Sequence, residues 1–323
     1  MNGAPTTTPT ERLALAGAAI AFVAAPPFMS DWIVFLIGLA LAKGMVVLGV
    51  VLMLRGGLIS FGQALYFAIG AYAIGFMTRF GIHEALVTLP AAIAVSTLVA
   101  AVLGLLMTRF RGIYFAMLSL ALSMVFYTVL IKFYDISGGS DGIGVHGFRL
   151  AGFAPAKPGL VQYYLILACA AAALYLAHRF LASPLGYLMQ AVRYNEIRIE
   201  YLGASAGQAI YGSYVLAGAM GGLGGALVAY SVGHVSPELS FWTTSGDFVF
   251  VAVLGGIGSA FAPFTGSIVF ELVKNYALKY SPNTWQMTLG IFLLLVIFFQ
   301  PRGLWHLVAR WQRKSPPNMS RQT

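Results

Sequence analysis

Charged side chains inside long apolar stretches are the residues of this sequence best placed to do chemistry. Lys43, Asp247, Glu271 and Lys274 lie in such stretches. A charge in a lipid-spanning segment is expensive and by default marks a path, a relay or an ion pair. Glu271 and Lys274 stand three residues apart, which puts them on one helix face and predicts a local pair. Lys43 is expected to snorkel, or to meet Asp247 or Glu271. A second group is uncharged. Ser119, Ser123 and Tyr127 recur every four residues and Ser60, Gln63 and Tyr66 every three, so each set forms a polar stripe on a helix. Two readings stay open for the stripes: hydroxyls that bond helix carbonyls or neighbouring helices, or a sparse polar lining for a solute path.

Enzyme and metal chemistry find no support. The sequence has no G-x-x-x-x-G-K-[ST] phosphate cradle, no H-E-x-x-H pair and no G-x-S-x-G elbow. His234 and Glu238 are four apart, but Pro237 between them disturbs a helix. His83, His146 and His306 fall in loops or at the ends of apolar runs. Cys169 is alone, which excludes an intrachain disulfide or a cysteine metal cluster. No catalytic, cofactor-binding or metal residue is assigned, and the chain is not expected to be an enzyme.

The elements that must position these residues follow from composition. Of 323 residues 59% are hydrophobic and only 9% charged, with a mean hydropathy of +0.83. Soluble domains carry about 25% charged residues, so a water-soluble fold is excluded. A spanning helix needs about 20 apolar residues, and the sequence offers ten runs, roughly 13–29, 32–54, 60–79, 88–108, 113–133, 160–178, 207–231, 245–262, 264–280 and 285–299. The runs are long and continuous rather than alternating, so helices are predicted and a β-barrel is not. No small-residue cleavage site follows the first run, which is read as a retained span. The expected organisation is an all-α polytopic membrane protein. A cytoplasmic tail covers 1–12, a transmembrane domain 13–299 and a basic cytoplasmic tail 300–323.

The net charge of +9 comes from Lys and Arg at the ends of apolar runs, a pattern of topology signals and headgroup anchors rather than of nucleic-acid binding. With both termini inside, twelve basic residues, among them Arg55, Arg109, Arg111, Arg193 and Arg198, collect on the cytoplasmic side. Five (Arg79, Lys132, Arg149, Lys157 and Lys279) fall outside. The positive-inside rule therefore favours this orientation.

Two connections are long enough to be more than links. The outer loop, about 134–159, holds Gly138, Gly139, Ser140, Asp141 and Gly142, a turn-rich run. The inner loop, about 180–206, turns at Ser183-Pro184-Leu185-Gly186. From Tyr187 to Leu202 it mixes apolar residues with Arg193, Glu196, Arg198 and Glu200 before Gly203. It is predicted as one short amphipathic helix with a glycine end, either lying on headgroups or docking in a groove of a soluble partner. Gly218, Gly221, Gly222, Gly224 and Gly225 give two G-x-x-x-G spacings. They predict close helix packing, within this chain or against a second subunit, with a gating hinge as the alternative.

Gly186–Gly203, GYLMQAVRYNEIRIEYLG, resembles the cytoplasmic loop of LivM-type permeases, the branched-chain amino-acid ABC importer subunits. Further stretches resemble the same family elsewhere along the chain: GLISFGQALYFAIGAYA at 57–73, RGIYFAMLSLA at 111–121, SGGSDGI at 137–143, VLGGIGSAFAPFTGS at 253–267 and QPRGLW at 300–305. The resemblance runs from about Asp31 to Trp305. It implies a type II ABC importer-like permease of two inverted five-helix halves in the bacterial inner membrane. Its implied partners are a second, LivH-like permease, two cytoplasmic ATPase subunits that bind ATP and Mg, and an extracytoplasmic solute-binding protein. The inner loop would then be the coupling loop, with Arg193, Glu196, Arg198, Glu200 and Gly203 facing the ATPase. The wider importer pattern E-A-A-x-x-x-G is degenerate here, with Ile197 standing six residues before Gly203. Asp247 matches a position where the family carries an acid, as a gate or interface residue or as a helix-end anchor. The outer loop would be a gate or docking surface for the binding protein.

The reading that follows is an importer permease for branched-chain amino acids or a related small polar solute such as urea, a short amide or an aromatic acid. A stand-alone secondary transporter or channel is the alternative. Ion coupling favours several intramembrane acids, and only Asp247 and Glu271 are candidates.

Overall fold

The computed structural model describes residues 22–153, 155, 157–280, 282–300 and 303–305. The predicted first span and the two tails lie largely outside them. Eleven main helices follow: α1 Asp31–Arg55, α2 Gln63–Arg79, α3 Ala85–Met107, α4 Gly112–Lys132, α5 Pro158–Leu181, α6 Pro184–Tyr194, α7 Glu196–Tyr201, α8 Ala206–Val232, α9 Trp242–Gly255, α10 Ala262–Tyr280 and α11 Trp285–Phe299. Every apolar run predicted beyond residue 31 coincides with a helix. Their grades differ: α1, α3, α4, α5 and α8 are long and apolar enough to cross a membrane, whereas α9 and α11 have 14 and 15 residues.

Burial sorts the long helices. The apolar windows of α1 and α8 are 72% and 67% buried, against 22–28% for α3, α4 and α5. So α1 and α8 cross at the centre, and the other three present apolar side chains outward, as a lipid-facing shell does. Around this pair α8 packs on α2 and α3, while α1 packs on α10, α5 and α9. The glycines of α8 allow the approach. A methyl group at Gly225 would fall on the Phe67 carbonyl, and one at Gly221 would stand 2.9 Å from the Tyr66 Cβ. Gly218 and Gly222 meet Ala100 and Ser96 of α3, and Gly224 meets Val46 of α1. Within this chain these glycines pack against three different helices.

Three predicted boundaries are corrected. The run 245–262 is helical from Trp242 and stops at Gly255, because Gly256 takes φ +96, a conformation glycine adopts without a Cβ penalty. The run 60–79 is helical only from Gln63; residues 58–62 precede it as non-helical backbone. The inner loop is two helices, α6 and α7, not one. Asn195 leaves the helix (φ −165, ψ 101), and its side chain accepts from Arg198 N at 3.0 Å. Asparagine competes with helical backbone bonds in this way and caps well.

At the end of the molecule where α2 stops and α3 begins, the 134–153 segment folds as a cap. Gly138, Gly139 and Gly142 all have positive φ, as the turn-rich run predicts. Two-residue strands β1 (Ile143–Gly144) and β2 (His234–Val235) pair antiparallel, with Ile143 opposite Val235. Arg149 N donates to His83 O at 3.1 Å, and Gly152 N donates to both Glu84 carboxylate oxygens at 3.1 Å.

Candidate translocation path and coupling loop

The loop between α5 and α8 sits at the end of the molecule that carries Arg55, Arg109 and Arg111. Ser183 caps α6, its hydroxyl accepting from Gly186 N at 3.4 Å. The inner face of the loop buries Met189, Val192 and Ile199. Met189 lies over Gly56, and the Arg193 stem lies over Gly57, where a methyl group would stand 3.3 Å from its Cγ. Gly57 itself needs its glycine, with φ +77 closing the turn after α1. Glu196 takes a forked bond from Arg111 at the start of α4: Nε lies 2.9 Å from Oε2 and Nη2 lies 2.7 Å from Oε1. The outer face presents Arg193, Arg198, Glu200 and Gly203 to solvent, together with Tyr194, Ile197, Tyr201 and Leu202. These apolar groups form an exposed patch on a charged loop beyond the spans.

The serines of the two stripes turn into the protein. Ser60, Ser119 and Ser123 are buried, and the α4 hydroxyls serve non-helical backbone. Ser119 Oγ accepts from Phe61 N at 3.0 Å, and Ser123 Oγ donates to Ser240 O at 2.8 Å. Ser245 Oγ of α9 accepts from Ala64 N at 3.0 Å, at the start of α2. The irregular stretch 58–62, and the segment 236–241 with its 3-10 turn Pro237–Ser240, thus run into the bundle ahead of the short helices α2 and α9, with serines meeting their backbone groups. Irregular backbone at membrane depth is tolerated only where protein or a water-filled cavity satisfies it. Of the two readings open for the stripes, these bonds are of the first kind: the serines bond backbone of neighbouring segments. Tyr66 OH donates to Tyr214 OH at 2.7 Å. Gln63 is wholly buried, and neither of its amide atoms has a partner among the described residues.

Tyr127 and Asp247 do line open space. Tyr127 packs on Phe241, ring centroids 4.9 Å apart, in the wall of a vestibule of about 960 Å³ between α9, α11 and α4. A smaller pocket of about 260 Å³ adjoins it, and Asp247, Glu238 and Lys274 line both. The expected local pair of Glu271 with Lys274 is not formed. Glu271 accepts from Lys43 of α1 at 2.7 Å, and Lys274 donates to Asp247 of α9 at 2.8 Å. Both residues stand on one side of α10, but each reaches a neighbouring helix, where pairing brings an otherwise uncompensated charge to balance. Lys274 also lies 5.1 Å from the Trp285 ring centroid.

Residues 15–299 match the family described as branched-chain amino acid transport system / permease component. The chain belongs to this family. It is a multi-pass membrane protein of a family of transport permeases, not of enzymes. Over 271 residues it is 27% identical to the high-affinity branched-chain amino acid transport system permease protein LivM of Escherichia coli (strain K12). It is 26% identical to the protein of the same name from Salmonella typhimurium. Each match covers 77% of this chain and 64% of the relative, so the chain spans less than two thirds of the length of these relatives. It is 24% identical over 298 residues to the probable branched-chain amino acid transport permease protein LivM of Methanocaldococcus jannaschii, covering 77% of this chain and 85% of that one. No solved structure is significantly similar.

Some participants escape the sequence. Ser245 and Tyr214 sit in apolar runs and Ser240 in the connection between two of them, with no spacing that sets them apart, and their roles depend on which helix lies opposite. Arg111 carried a signal, as a charge directly before an apolar run, but nothing in the sequence joins it to Glu196.

Proposed function

We propose that this permease is the membrane-spanning subunit of an ABC importer and passes branched-chain amino acids, or a related small polar solute, toward the cytoplasm. A solute-binding protein delivers the solute outside, and ATP hydrolysis in two cytoplasmic ATPase subunits drives the cycle. The observation that carries this reading is the α6–α7 loop. It is held rigidly against the bundle by Met189 and by the Arg111–Glu196 fork, yet offers Tyr194, Tyr201 and Leu202 to solvent at 81–89% exposure. A helix face of that kind fits a groove in a soluble partner. Its end of the molecule is the cytoplasmic one in this reading, with N- and C-termini inside. The 134–153 cap then faces the binding protein.

The arrangement of contacts supports two inverted halves. α1 and α8 exchange roles at the centre, α2 and α9 are both short helices preceded by irregular backbone, and α3 against α8 mirrors α10 against α1. A second, LivH-like permease closes the open side of the vestibule, where α11 exposes Leu294, Phe298 and Phe299. Reconstitution tests the reading. The chain alone in proteoliposomes should show no leucine uptake, and addition of the second permease, ATPases, binding protein and ATP should restore it. Charge reversal at Arg193 and Arg198 should leave insertion intact and separate hydrolysis from uptake. ATP-independent uptake by the isolated chain would refute the assignment.

A further inference from the structure

We propose that the small charged pocket between α1, α9 and α10 is a binding site for the zwitterionic head of one small aliphatic α-amino acid, so that this subunit itself inspects the solute. The inference rests on the importer reading and adds a site to it.

Ser267, Glu271 and Lys274 of α10 stand at i, i+4 and i+7, on one helix face. All three line the pocket of about 260 Å³, with Lys43, Asp247 and Glu238 opposite. Lys43–Glu271 is the deeper pair, with Glu271 only 8% exposed, and it ties α10 to α1. Lys274–Asp247 is more open, at 22% and 31%, and stands where pocket and vestibule meet. The Ser267 hydroxyl supplies an independent observation. It is 1% exposed, lines the same pocket and has no hydrogen-bond partner among the described residues. A buried hydroxyl without a partner is unfavourable unless something else meets it.

The donors and acceptors together select the ligand class. The five ionic groups sum to one negative charge, because the Glu238 carboxylate joins two closed pairs. An anion would face three carboxylates, and a simple cation, which Glu238 could balance, would give Lys274 and the Ser267 hydroxyl nothing to donate to. A zwitterion replaces one ion pair by two: its ammonium goes to Asp247 or Glu238 and its carboxylate to Lys274, with Ser267 donating to that carboxylate. The remaining wall is aliphatic and aromatic, including Val47, Val228, Leu239 and Phe270, which suits an aliphatic side chain. Opening the Lys274–Asp247 pair is then how a solute enters from the vestibule.

The test uses the transporter assembled from both permeases and the ATPases, purified without the binding protein. Radiolabelled L-leucine should bind saturably. Unlabelled leucine should displace it, whereas 3-methylbutylamine, which has only the ammonium, and 4-methylpentanoate, which has only the carboxylate, should not. Lys274→Gln should weaken binding at least about tenfold. Ser267→Ala should weaken it about fivefold, the loss of one hydrogen bond, with no fall in melting temperature, since that hydroxyl bonds nothing in the protein. A purely structural role would leave leucine binding by Ser267→Ala unchanged, and that result overturns the site. Displacement by the amine alone overturns the zwitterion assignment. Absence of saturable leucine binding in an assembly that still takes up leucine with ATP and binding protein overturns the site and leaves the importer reading standing. Absence of leucine uptake by the complete wild-type system overturns both.

Discussion

The fork between Arg111 and Glu196 is the one ionic link between the α6–α7 loop and the bundle among the described residues, and removing it should loosen the loop by an amount the geometry sets. Arg111 Nε reaches both carboxylate oxygens at 3.1 and 2.9 Å, and Nη2 reaches Oε1 at 2.7 Å. Forked charge-assisted bonds are the strong kind. The two side chains are however 34% and 29% exposed, so water screens the pair toward the value for surface ion pairs, about 1 kcal/mol. That energy changes a local opening equilibrium about fivefold. Glu196→Ala should therefore speed hydrogen exchange of the α7 amides at Leu202 and Gly203, which bond Arg198 O and Glu200 O, by about fivefold. Arg111→Ala should do the same, and the double variant should be no faster than either single one, because both remove the same interaction. The consequence for transport runs through α4. Its Ser119 and Ser123 hold the backbone ahead of α2 and α9, so a loop uncoupled from Arg111 should lower leucine uptake per ATP hydrolysed. Exchange unchanged in both single variants, or additive in the double, would refute the link.

Three further outcomes follow from packing and charge. Lys43→Met leaves the Glu271 carboxylate buried without its partner and should destabilise the protein by about 3–5 kcal/mol, whereas Lys43→Met with Glu271→Met should recover most of that loss; thermal unfolding in detergent separates the two. Gly225→Ala places a methyl group on the Phe67 carbonyl and should cost about 1–3 kcal/mol through overpacking, while Gly290→Ala, which meets nothing within 4 Å, should leave the melting temperature unchanged. Ser123→Leu removes the bond to Ser240 O and pushes on the 236–241 segment, so uptake should slow while the subunits still co-purify in normal ratio.

The sequence makes the spans legible because lipid demands continuous apolar helices, and that demand is written locally. It is equally legible at turns, where Gly138, Gly139 and Gly142 adopt the positive φ that their run predicts. What escapes is the distinction between apolar helix and apolar irregular backbone. Residues 58–62 are as compatible with lipid as their neighbours, and Ser119, brought from α4, meets the Phe61 amide where they leave the helix. Asn195 shows the opposite case. Its signal was local, a helix-breaking cap inside an amphipathic stretch, but the periodicity on both sides masks it.

The ion pairs locate the deeper limit. Spacing alone joins Glu271 to Lys274, and both do stand on one side of α10. Each is drawn instead to a charge on another helix, Lys43 lying 228 positions from Glu271 in sequence. A charge buried in a membrane is decided by the nearest opposite charge in space, which for Glu271 is Lys43 at 2.7 Å and for Lys274 is Asp247 at 2.8 Å. The two resulting pairs are not equivalent. In the one on α1 the Glu271 carboxylate is nearly closed to solvent, at 8% exposed, and the pair ties α10 to the central helix, while the one on α9 stands at the mouth of a vestibule. The proposed amino-acid site then predicts that α9, a short helix held by Ser245 and by the more open pair, moves relative to α1 and α10 when a solute takes one of its charges.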